Sequence, residues 1–190
     1  MRKVVAIVGR PGSGKSTVAE FLVGQGFKRF GLGDICREEA AVRGNMKPTR
    51  MDLQNIGDSL RKKFGNSILS ERVWEKIEVG SADLVIVEGS RHPGDIKFLQ
   101  DKADKFLCLA LLVSPEIRYK RVIDRGLSQD PREWEKFLEF DRRDAADLDN
   151  PNGQSTEAVI ALADYKIDAA LPEEKVFERV EEVLKKEGII

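Results

Sequence analysis

The chain has 190 residues, which suits one domain and is too short for two ordinary ones, and its 41% hydrophobic content is enough for a core. Its 32 Lys and Arg against 33 Asp and Glu exclude nucleic-acid binding by bulk electrostatics, so any anion it holds is held by local arrangement. Two distant cysteines, Cys36 and Cys108, and the lone His92 exclude a disulfide framework and a zinc site and favour a reduced, cytoplasmic setting.

The first apolar run, residues 4–8, predicts a strand and is too short for a signal core or a membrane span. A helix follows over 16–23. A second strand is expected at 27–32, and a helix over 35–43 with Asp34 as its N-cap. The segment Gly44 to Thr49 reads as a loop. Helices are expected over 51–64 and 70–77, with Trp74 anchoring the second to the core. Further strands fall at 84–87 and 107–113. Between them, His92 beside Pro93 reads as a loop residue at the surface.

Ser114-Pro115-Glu116 starts another helix, with Ser as N-cap and Pro at the first helical position. Asp130-Pro131-Arg132-Glu133 repeats that logic, and Trp134 would anchor the helix that follows. Residues 149–155 form the clearest loop and the best hinge. A last strand is expected at 165–167. A final helix starts near Pro172, with Val176, Phe177, Val180, Val183 and Leu184 on one face and Gly188 at its end. Apolar runs that are continuous rather than alternating imply strands buried on both faces. The fold is therefore an α/β doubly wound parallel sheet of about five strands in three layers.

Residues Gly9-Arg10-Pro11-Gly12-Ser13-Gly14-Lys15-Ser16 match the P-loop pattern between the first strand and the first helix. Gly12 and Gly14 let backbone N–H groups face a phosphate, and the helix N-terminus adds its positive end. Lys15 can reach β- and γ-phosphates, the Ser16 hydroxyl can ligand Mg²⁺, and Thr17 assists. The cofactors expected are therefore ATP and Mg²⁺.

On these residues the chain resembles the adenylate-kinase-like branch of P-loop kinases, which includes nucleoside-monophosphate kinases and dephospho-CoA kinases. It looks most similar to a prokaryotic group of small kinase-like proteins within that branch. The resemblance implies one P-loop kinase domain, with a core of residues 1–33, 81–125 and 156–190. Acceptor-binding helices would span 34–80 and a lid 126–155. Gly33-Asp34-Ile35-Cys36-Arg37 is similar to the family's G-D-x-x-R, which implies that Asp34 and Arg37 bind the acceptor phosphate.

Glu88-Gly89-Ser90-Arg91 resembles the family's D-G-x-[PR]-R, with Glu in place of the commoner Asp. It implies that Glu88 serves the metal or acts as a base, and that Arg91 grips the acceptor. Arg121 and Arg125 resemble the pair that meets the donor adenine and the transferred phosphates, and Arg118 joins that face. Arg142, with Arg143 second, would close from the lid. Leu162 to Ile167 resembles the segment that frames the adenine. Thr49-Arg50, Leu53-Gln54, Gly57 and Arg61 are similar to a pattern in some deoxynucleotide kinases that holds a base or phosphate.

The function implied is an Mg-ATP-dependent phosphotransferase acting on a small phosphorylated acceptor, with no nucleic-acid or membrane partner. A nucleoside or deoxynucleoside monophosphate leads as acceptor and dephospho-CoA follows. A regulatory nucleotide-binding ATPase is the alternative of another class, although no N-K-x-D base-specificity sequence of a GTPase switch is present.

Overall fold

The computed structural model describes residues 1–127, 130–147 and 150–190. Strands β1 (Lys3–Val8), β2 (Lys28–Gly31), β3 (Leu84–Glu88), β4 (Lys105–Leu112) and β5 (Tyr165–Asp168) form one sheet. Its order is β2-β3-β1-β4-β5, with every neighbouring pair parallel. Val5 of β1 lies between Ile86 of β3 and Leu107 of β4.

The apolar run of β1 is continuous because both faces are covered. Val5 and Ile7 pack with residues of helices α1 (Lys15–Val23) and α9 (Glu173–Lys186). Val4 points the other way, among residues of α2 (Leu32–Val42), α3 (Arg50–Phe64), α4 (Ile68–Val79) and α5 (Pro93–Lys102). Ala6 and Val8 pack on α5 and the short α8 (Thr156–Ala161). This period-two division makes the three layers. The amphipathic stripe on α9 buries Val176, Val180, Val183 and Leu184, with Phe177 stacked on Phe21. Gly188 follows that helix at φ 60, the left-handed conformation that suits a helix stop.

Helix α6 (Pro115–Arg125) begins as expected after Ser114, with Pro115 at its first position. Three starts differ from expectation. Asp34 does not cap α2, which begins at Leu32 directly out of β2. Asp34 instead lies in the first turn, where its charge suits the helix dipole, and accepts from Arg37 at 2.5 Å. Asp130 does not cap α7 (Trp134–Ala145), whose N-cap is Glu133. The Asp130 carboxylate is buried and taken by Arg125 at 2.7 Å and Arg50 at 3.1 Å.

His92 is not a surface loop residue. It is half-buried and caps α5, its Nδ1 accepting from Gly94 N at 3.1 Å while the Asp95 carboxylate accepts from the His92 N–H. Helix α5 escaped notice because only Ile96 and Leu99 mark its buried apolar face. Trp74 is buried, and Trp134 packs with Tyr119 and Phe137, so both anchor their helices. The expected hinge at 149–155 and the segment 126–155 include Ser128, Gln129, Leu148 and Asp149, which lie outside the described residues.

Candidate active site

A parallel sheet brings the C-terminal ends of its strands to one edge, and the loops there meet. Gly9 leaves β1 and Gly14 caps α1, both at positive φ. Between them, Gly12 at φ 80 passes so close to α6 that an added Cβ would lie 2.5 Å from the Arg118 carbonyl oxygen. Backbone stands on both sides of that contact. Gly12→Ala is therefore expected to displace the loop, abolishing nucleotide binding. Titration with a fluorescent ATP analogue, beside a melting curve, checks this.

The Lys15 ammonium folds back over the loop, donating to the carbonyls of Gly9 at 2.8 Å and Arg10 at 2.9 Å. It keeps some solvent exposure but is ringed by protein. Burial first, then the Arg91 guanidinium, lowers its pKa from 10.5 to about 7. The Ser16 hydroxyl lies 3.4 Å from Glu88 Oε2 at the end of β3. The other Glu88 oxygen accepts from Arg29 Nε at 2.7 Å and from its Nη2.

Two cavities of about 290 Å³ each open from this edge. The first lies between the P-loop, α2, α3 and the loop after β3. Pro11, Asp34, Arg37, Arg61, Glu88 and Arg91 line it. The second lies between the P-loop, α6 and the start of α9, and is lined by Ser13, Gly14, Thr17 and Arg121. Gly12, Lys15, Ser16 and Arg125 line both. Arg121 donates to the Ala169 carbonyl at 2.8 Å, which fixes it beside the segment after β5. Arg91 is fixed by Gly9 O at 3.0 Å and by Asp144 at 3.2 Å.

Arg142 is not brought to either cavity. Asp141 and Asp144 occupy the buried face of α7, which turns Arg142 to solvent. Arg143 pairs instead with Asp58 and Asn55.

Sequence reasoning missed what lies beneath the loop. Arg118 is 3% exposed, makes a two-point contact with the Asp141 carboxylate and donates to Pro11 O at 3.3 Å. Arg10 pairs with Asp141 at 2.8 Å and Asp144 at 3.6 Å. The spacing of Asp141 and Asp144, three apart on a helix, was the available signal: it puts both acids on one face. Arg29, the partner of Glu88, carries no motif and could not be read.

The site fits a nucleoside triphosphate and its divalent cation. The Lys15 ammonium and the bare backbone of Gly12 and Gly14 along the cavity suit phosphate oxygens, and the Ser16 hydroxyl beside Glu88 offers the hard oxygen donors that Mg²⁺ takes.

The class that this sheet and loop define is a P-loop kinase-like protein of the adenylate-kinase type. The family model described as AAA domain matches residues 8–137. The chain belongs to the UPF0200 protein family. A UPF0200 protein of Hyperthermus butylicus is 35% identical over 166 residues, covering 87% of this chain and 84% of that one. Among solved structures, TT1252 from Thermus thermophilus superposes with a TM-score of 0.63 at 20% identity, covering 97% of each chain. Shikimate kinase from Bacteroides thetaiotaomicron does so at 0.59 and 16%, covering 96% of this chain and 98% of that one. At these identities both likenesses are of fold.

Proposed function

We propose that this chain is an Mg-ATP-dependent phosphotransferase whose acceptor is a nucleoside or deoxynucleoside monophosphate. The observation that carries the reading is the pair of cavities sharing Lys15, Ser16 and Arg125. A nucleotide switch needs one cavity; a two-substrate enzyme needs two that meet where the group is passed.

In this reading ATP occupies the second cavity, with Arg121 at its base-binding end and the P-loop amides on its phosphates. The acceptor occupies the first, its phosphate met by Arg37 and Arg91. An oxygen of that phosphate attacks the terminal phosphorus of ATP, the bond to ADP breaks, and the electron pair leaves with ADP. The attacking oxygen carries no proton to remove at neutral pH, so no general base is required. Ser16 and Glu88 would hold Mg²⁺, which would supply charge neutralisation on the donor phosphates. Lys15 and Arg125, lining both cavities, stabilise charge on the group in flight. Helices α2–α4 serve as the acceptor-binding unit and residues 126–155 as the lid. Arg142 would need to turn inward to take part, so Arg125 carries that role here.

A phosphotransfer screen tests the reading. Mg-ATP is offered with ribo- and deoxynucleoside monophosphates and dephospho-CoA. Transfer to a monophosphate is expected. Transfer to dephospho-CoA alone would replace the acceptor, and ATP hydrolysis with no transfer would favour a regulatory ATPase.

A further inference from the structure

Asp130 stands behind the first cavity and lines neither cavity. Its side chain is buried, and its backbone N–H donates to Leu127 O at 3.0 Å. Its Oδ2 accepts from Arg125 Nε at 2.7 Å and its Oδ1 from Arg50 Nε at 3.1 Å. Arg125, at the end of α6, lines both cavities, and Arg50, at the start of α3, lines the first. Nε is the guanidinium nitrogen nearest the stem. A partner there fixes the direction of the side chain and leaves both Nη groups ahead of it. Among the described residues, neither Arg50 nor Arg125 spends an Nη on a protein acceptor. Their side chains stay 26% and 39% exposed, so those donors are within reach of a ligand. Arg91, by contrast, spends its Nη1 on Gly9 O. Asp141 likewise meets Arg118 through both Nη atoms, the two-point contact of an ion pair that leaves nothing over.

The charges around Asp130 do not cancel, because one carboxylate serves two guanidiniums. Burial lowers the Arg50 pKa and Asp130 offsets this, while Arg125 and Arg91 stand near enough to lower it further. Resting on the phosphotransferase reading, we infer that Asp130 is a positioning residue for that reaction. It aims the free Nη groups of Arg125 at the phosphoryl group in flight and sets those of Arg50 beside them. Asp130 itself touches no substrate. A guanidinium stabilises a transition state only when its donors already point to where charge develops. Without the carboxylate, Arg125 turns toward water from the last turn of its helix, and that order is lost.

A double-mutant cycle tests this, with Mg-ATP and whichever acceptor the phosphotransfer screen names. Asp130→Asn keeps the shape but offers one acceptor oxygen where two are in use, and no charge. It is expected to lower kcat by about tenfold or more and to change the ATP KM by less than about threefold. In an Arg125→Met background the same substitution is expected to cost less than about twofold, because the group it acts through is gone. A contact serving stability alone would have the same effect in both backgrounds. A readout without turnover accompanies the cycle. ADP with aluminium fluoride and the accepted acceptor mimics the group in flight. Asp130→Asn should weaken that complex about as much as it lowers kcat, while ADP alone binds as before. Should Asp130→Asn not fold, Asp130→Glu serves. It keeps the charge between the arginines but displaces them by one methylene, and is expected to lower kcat several-fold with ADP affinity held.

Equal effects in the two backgrounds overturn the inference, as does a kcat untouched by Asp130→Asn or, in its place, by Asp130→Glu. So does a fluoride complex as tight in the variant as in the parent. In each of those cases the phosphotransferase reading stands. Transfer to none of the acceptors offered overturns that reading and the inference with it.

Discussion

Lys15→Met is expected to lower phosphotransfer by about 10³-fold, the scale seen when a positioned charge donor is lost from a transition state. The substitution removes the ammonium lying where the two cavities meet, and it also frees the carbonyls of Gly9 and Arg10. A second signature separates the charge from the shape. Burial and Arg91 hold the Lys15 pKa at about 7, so above that pH the free protein carries mostly neutral amine. Phosphates favour the charged form. Binding ATP at pH 8 should therefore take up a proton, and ATP affinity should fall as pH rises from 7 to 9. A lysine at its ordinary 10.5 would hold its affinity across that window. Calorimetric titration at pH 8 in buffers of different ionisation enthalpy reads the proton directly, and Lys15→Met should abolish the uptake.

Asp141→Ala is expected to cost about 3–5 kcal/mol of stability, because it strands the buried Arg118 cation and removes one partner of Arg10. Asp141 is shared by Arg118 and Arg10; without it Arg10 keeps Glu157 at 2.5 Å and Asp144 at 3.6 Å, but Arg118 loses the carboxylate that meets it at two points. Arg118 cannot escape to water: it lies over the Phe137 ring, 5.6 Å from its centroid. For a chain of this size the loss corresponds to a fall in Tm of about 10 °C. Asp141→Asn keeps one acceptor oxygen and should lose less. Urea denaturation of both variants measures the difference. A change under 1 kcal/mol for Asp141→Ala would show the pair to be structurally idle. ATP affinity should fall together with stability, since Arg118 also holds Pro11 of the loop.

The sheet and most helices were legible because their signals are local. Continuous apolar runs at β1, β3 and β4 reflect burial on both faces, and the stripe on α9 reflects burial on one. The P-loop was legible because glycine positions and a lysine at fixed spacing obey backbone geometry. The start of α6 was legible from Pro115 at its first position, although Ser114 makes no side-chain cap bond. Asp34 and Asp130 look like caps in sequence, but Arg37, Arg50 and Arg125 claim their carboxylates. The charge network is a matter of chain topology. Nothing near Arg10 foretells Asp141, 131 positions on, or near Arg29 foretells Glu88 across the sheet. Arg142 and Arg143 show the limit most plainly. In sequence they are adjacent basic residues; on the helix they are set apart by which neighbouring acids turn inward.

Beyond the Gly12, Lys15, Ser16 and Arg125 that they share, the two cavities draw on different stretches of chain. The wall of the second comes from the P-loop, α6 and the segment leading into α9. About half of the first comes from one continuous span, Arg29 to Leu69, with the rest from the P-loop, the end of α6, the loop after β3 and the α7 side. A lineage can thus rewrite what is recognised on one side by changing a single contiguous block, while the machinery on the other side is inherited intact. If the proposed function holds, the same partition offers protein engineers a natural cut: exchange of that block between relatives, with Arg29 kept as the partner of Glu88, would carry acceptor selectivity with it.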